Sequence, residues 1–146
     1  MHERSTQSRR IRSRALPAGA ALALLASAAH AHHAFSAEFD INRPVELKGV
    51  VTKLEWTNPH SWLHVDVREP DGTVTSWAVE FGNAYSLLHK GLRKTDFPVG
   101  VEVLVEGYAA KNGKPIANAS SVTLPDGRGF YTAAEDSPAA RNRGAD

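Results

Sequence analysis

Glu55-Trp56-Thr57-Asn58-Pro59-His60-Ser61-Trp62 lies between two runs of alternating apolar and polar residues, and its reading decides the fold. Asn-Pro starts turns, because proline fixes its own φ and pushes the preceding residue out of the helical region. Upstream, Val45, Leu47, Gly49 and Val51 share one face of a strand, with Glu46, Lys48 and Thr52 on the other. Downstream, Leu63, Val65 and Val67 point one way and Trp62, His64, Asp66 and Arg68 the other. The stretch is therefore a turn joining two strands, with an indole at either end and an imidazole inside. Gly49 in mid-strand suggests a bend or a close backbone approach, as in a strand that coils around a small barrel.

Further along, Glu69-Pro70-Asp71-Gly72 is a hairpin turn into a third strand, Thr73 to Phe81, with Trp77, Val79 and Phe81 on a common face. Asn83 N-caps a short helix, Ala84 to Lys90, whose apolar positions are Tyr85, Leu87 and Leu88 and which Gly91 stops. Thr95 to Gly100 connects to a fourth strand carrying Val101, Val103 and Val105, ending at Gly107. Lys111-Asn112-Gly113-Lys114 turns into a fifth, Ile116 to Leu124, which Pro125-Asp126-Gly127 ends. On the other side, Asp40 to Pro44 reads as a turn, preceded by an arm that Phe35 and Phe39 can anchor. Three strands, a short helix and two strands predict an all-β fold: a five-stranded OB-like Greek-key barrel with one short helix between strands 3 and 4. A generic β-sandwich usually needs about seven strands and has no place for the helix.

Residues 1–31 read as a signal peptide. Arg4, Arg9, Arg10, Arg12 and Arg14 form a positive start, Ala15 to Ala29 a short apolar run, and Ala29-His30-Ala31 a small-x-small cleavage signal. The run falls short of the about 20 apolar residues a transmembrane segment needs. Arg9-Arg10 matches the twin-arginine pattern only in part, so the general secretory route is the default. The expected organisation is a leader over 1–31, one barrel domain with an N-terminal arm over 32–132, and a tail over 133–146 without periodicity. The expected location is periplasmic or secreted. The whole chain has a formal charge of +1, but the leader holds five arginines and one acid, leaving −3 on the remaining 115 residues. That balance, with no basic run, carries no electrostatic footprint for nucleic acid. With no cysteine, disulfides and thiolate metal sites are excluded.

Five stretches together, His32-His33-Ala34-Phe35, Val45-Glu46-Leu47-Lys48-Gly49, Trp56-Thr57-Asn58-Pro59-His60-Ser61-Trp62, Val105-Glu106-Gly107-Tyr108 and Ser121-Val122-Thr123-Leu124-Pro125-Asp126-Gly127, resemble the DUF6152 family of uncharacterised exported bacterial proteins. The resemblance covers essentially all of the chain after the leader. It implies export and boundaries, and no chemistry, because the family has no established activity.

Chemistry is sought first at the expected new terminus. Cleavage after Ala31 gives His32 a free α-amine beside its ring nitrogen, and a second imidazole completes a three-nitrogen set suited to Cu(II), which favours tetragonal N and O ligands. Such a set resembles the histidine brace of exported copper oxygenases and some copper-binding proteins. His60 is the favoured second ligand, with His33 and His64 next. The plainer reading makes the two terminal histidines a solvated end and leaves His60 and His64 to the turn and the sheet surface. His89 reads as a helix-end histidine favoured by the dipole. A second candidate is the Trp56-His60-Trp62 surface, with Asn58 in the same turn, binding a peptide, a glycan, a protein partner or another small ligand without metal. Trp77, sharing a face with Val79 and Phe81, reads as core. No GxSxG motif, Gly-rich phosphate loop or zinc-protease spacing is present, so the expectation is a binding module and not an enzyme. Glu55, Asp66 and Glu80 read as a solvated face.

Overall fold

Alternation sets the strands, and the computed structural model, which describes residues 35–133, contains six of them. They are β1 (Phe39–Glu55), β2 (Ser61–Arg68), β3 (Val74–Phe81), β4 (Glu102–Ala110), β5 (Ile116–Thr123) and β6 (Gly129–Tyr131). One helix, α1 (Ala84–His89), lies between β3 and β4 and is followed by a 3-10 turn, Lys94–Asp96. Residues 1–34, which include the expected leader, His32 and His33, and residues 134–146, the expected tail, lie outside the described residues. Ala133 itself is buried, and Lys90 Nζ donates to its carbonyl at 2.9 Å.

Neighbouring strands pair antiparallel except β3 and β5, which run parallel over Ala78–Ile116, Val79–Ala117 and Glu80–Asn118. That short parallel contact closes five strands into a ring, β1-β2-β3-β5-β4, so the all-β, barrel-like fold expected from the sequence is present. β1 serves two neighbours in succession: Pro44 to Val50 face β4, and Gly49 to Glu55 face β2. The strand must coil where the two overlap, and Gly49 sits there. A Cβ at Gly49 would come within 3.1 Å of the Asp66 carbonyl, Val65 and Val67, so the close approach read from the sequence is present.

The inward faces match the alternation. Leu47, Val51, Leu63, Val65, Val79, Phe81, Val103, Val105, Ala117, Ala119 and Val122 form one core, with Leu87, Leu92 and Phe97 closing it from the helix side. Trp77 packs against this core, as its parity suggested. Asn83 Oδ1 accepts from Ser86 N at 2.8 Å to cap α1, and Gly91, at φ +92°, ends it.

Four local expectations need correction. Asp40 to Pro44 is no separate turn: it is a break of register inside β1, where Asp40 Oδ1 accepts from Asn42 N at 3.0 Å and Arg43 Nη1 donates to the Ala110 carbonyl at 3.2 Å. β4 continues past Gly107 to Ala110. Pro125-Asp126-Gly127 does not end the sheet; it is the hairpin turn into β6, with Leu124 N bonded to Arg128 O at 2.9 Å. Only Leu87 of the three apolar positions on α1 is buried, whereas Tyr85 and Leu88 are exposed at 68% and 48%.

Candidate functional site

The Trp-Asn-Pro-His turn is built as a clasp. The Asn58–Pro59 peptide is cis. Ser61, fully buried, accepts from Thr57 N at 3.2 Å and donates back to Thr57 O at 3.1 Å, closing the loop with one hydroxyl. Ala84 N donates to the same Thr57 carbonyl at 3.2 Å, which ties the turn to the start of α1. His60 is thereby held just before β2, beside the end of β3.

There its Nδ1 meets the Glu80 carboxylate. Glu80 alternates with Val79 and Phe81 and so faces away from the core, yet it is only 8% exposed. The solvated-face reading fails for this residue because other segments cover it. His60 lies over it, Asn118 on paired β5 donates a side-chain hydrogen bond, and Glu38 on the arm adds its charge. Burial pushes the Glu80 carboxyl above the usual glutamate range, with the His60 contact pulling the other way and Glu38 adding to the rise. A raised carboxyl pKa means the folded state holds the proton more tightly than the unfolded chain. The stabilisation is full below the unfolded value and is lost as pH rises through the folded one. Wild type should therefore lose stability relative to Glu80→Gln as pH is raised from acid toward neutrality, read as the difference between their melting temperatures.

His64 is placed separately. A bulge between Val51 and Lys53 shifts β1 by one residue, so Leu54 faces Leu63 in the core and Glu55 comes outward opposite Trp62. Glu55 Oε1 then meets His64 Nε2 at 3.0 Å and Lys53 Nζ at 2.8 Å, which hold its carboxyl below the usual range, Lys53 more than His64. Trp62 is the cross-strand neighbour of both Glu55 on β1 and Glu80 on β3. The half-buried indole thus lies between two imidazole–carboxylate pairs whose strands are about 10 Å apart. Asn58 is exposed, and Trp56 packs against the core. Among the described residues no three His, Asp or Glu side chains come together as a metal cluster.

Trp62 also walls a cleft of about 480 Å³, with Glu38, Phe39, Ala110, Lys111 and Ile116 around it. The arm forms its rim. Residues 35–38 make a helical turn, and Phe35 stacks on Phe39 at 5.5 Å and edge-on to Tyr108 at 6.1 Å. Lys111 fastens it further, its N donating to Glu38 O at 2.8 Å and its Nζ to Ser36 O at 2.6 Å.

Sequence reasoning missed Ser61, Asn118 and Glu38. Ser61 left a readable signal, a hydroxyl four residues after Thr57 across an Asn-Pro turn. Asn118 and Glu38 left none, because they come from segments far apart in the chain.

With the geometry in place, the family model described as a family of unknown function, DUF6152, matches residues 20–118. The chain belongs to that family. No curated protein and no solved structure matches it. The family match spans the arm, the clasped turn, Glu80 and Asn118, so the whole His60 site falls inside it. No described helix is long and apolar enough to cross a membrane.

Proposed function

We propose that this member of DUF6152 is an exported copper-binding module, holding Cu(II) between the amine and ring nitrogen of His32 and the Nε2 of His60, in a handling or delivery role. One observation carries the reading: Glu80, buried on the outer face, takes His60 Nδ1 and leaves Nε2 on a half-exposed ring without a partner among the described residues. A carboxylate holding the far nitrogen of an imidazole is the arrangement that orients metal-ligating histidines. The arm that leads back to His32 packs beside this point, since Glu38 acts on Glu80 and Phe35 seats on Phe39 and Tyr108. From Phe35, His32 is within a reach of at most about 11 Å. Nitrogen donors of this kind suit Cu(II). His33 and His64 are the alternative ligands, although His64 Nε2 is already on Glu55.

The test uses the full precursor expressed in an exporting host, with the untagged product titrated with Cu(II) by electron paramagnetic resonance and its intact mass measured. One tight type-2 centre is expected, lost in His32→Ala and in His60→Ala. Glu80→Gln, which keeps the volume and removes the orienting charge, should weaken binding by about 10–100-fold. Copper bound equally well by His60→Ala sinks the reading.

The cleft against Trp62 favours a second reading, a metal-free module that binds a peptide, a glycan, a protein partner or a small ligand on this surface. A protein that starts at His32 and gives no type-2 spectrum points there.

A further inference from the structure

The Trp62 cleft combines an apolar floor with two opposite charges that do not pair with each other. Trp62, Phe39 and Ile116 supply the floor, and Glu38, Lys111 and Asn112 stand at the rim. Glu38 and Lys111 are joined through their backbones at 2.8 Å, so their side chains start from neighbouring points. They nevertheless make no ion pair: Lys111 Nζ turns to the Ser36 carbonyl, using one of an ammonium's three donors. Glu38 is exposed, and no described side chain bonds its carboxylate. The neighbouring Arg43 is spent on the Ala110 carbonyl.

We propose that this cleft binds a free α-amino acid with an apolar side chain. The ligand ammonium lies against Glu38, its carboxylate takes the two unused Lys111 donors, and its side chain rests on Trp62 and Phe39. Adjacent unpaired charges of opposite sign complement a zwitterion whose own charges sit one carbon apart. A singly charged ligand leaves one of the two uncompensated. The cavity volume lies within the range of small-molecule sites, and so does the pattern of an apolar lining with a few convergent polar groups. The inference rests on the second reading above, that the Trp62 surface takes a ligand, and is independent of copper.

The experiment titrates the full mature chain, with EDTA present to remove metal, with L-phenylalanine, N-acetyl-L-phenylalanine and L-phenylalaninamide. Heat is read by calorimetry, and the site by the Trp62 indole N–H resonance. L-Phenylalanine should shift that resonance and bind about tenfold or more tightly than either blocked form, a gap of about 1.4 kcal/mol. Glu38→Gln, a conservative change on an exposed side chain, should bring L-phenylalanine down to the level of the N-acetyl form. Preference for the amide points to a peptide N-terminus, and preference for the N-acetyl form to a C-terminus. Either overturns the free amino acid while keeping the surface as a ligand site. Silence of Trp62 toward all three overturns both. Neither result bears on the copper centre.

Discussion

Gly107→Ala should cost the fold about 3 kcal/mol or more, an overpacking penalty at the upper end for a single methyl group. A Cβ at Gly107 would stand 2.1 Å from the Asn118 carbonyl and 3.0 Å from the Ala119 Cα, inside contact distance of backbone that cannot rotate away. The crowding comes from a bulge. Between Glu106–Ser121 and Gly107–Ala119, β5 carries one residue more than β4, and the extra length folds its backbone onto Gly107. Relief requires β4 and β5 to part, and β5 also closes the ring onto β3. Gly129→Ala is the control, since its Cβ would meet only Thr123 Oγ1 at 3.8 Å, and a change within about 0.5 kcal/mol is expected. Urea unfolding of both variants tests this; two equal midpoints would refute the close approach.

Gly107 also marks where the sequence stops being informative. Read alone, Val105-Glu106-Gly107 looks like a strand ending at a glycine, but the glycine serves contact with a second strand and β4 runs on to Ala110. The same limit recurs wherever the cause is non-local. Strand parity was legible because burial on one face imposes it residue by residue, and Leu63, Val65, Val79 and Phe81 all face inward as their alternation required. The bulge in β1 was legible in principle, since Val51 and Leu54 both turn inward although three residues apart. β6, at three residues, is too short to show a period.

The site divides along the same line. His60 and Trp62 stood out because a local turn, Asn58-Pro59, positions them. Glu80 reads as a surface acid because its alternation says only that it faces away from the core. What surrounds it comes from His60 and from Asn118 on β5, with the charge of Glu38 on the arm, and no short window of sequence contains all three. The turn, the buried carboxylate and the arm therefore come together only after the barrel has closed.

Phe81→Ala tests that unit from beneath and should lower the unfolding free energy by about 3–5 kcal/mol. Phe81 is the largest fully buried side chain among the described residues, 1% exposed, and packs edge-on against Phe97 with ring centroids 5.9 Å apart. Alanine removes the ring where β3, the 3-10 turn and the helix side of the core meet, and the rigid ring closure leaves little scope for collapse. For a domain of this size, whose total stability is about 5–15 kcal/mol, that is about a fifth or more. Phe81 also pairs with Ser61 and adjoins Glu80, so the cavity opens directly under the clasped turn. The loss should thus appear twice, as a lower urea midpoint with unchanged slope and as broadened His60 ring resonances in the folded protein. Phe81→Leu, which keeps most of the volume, should restore much of both. A Phe81→Ala protein destabilised by less than about 1 kcal/mol would show that the turn and the core are not packed as one body.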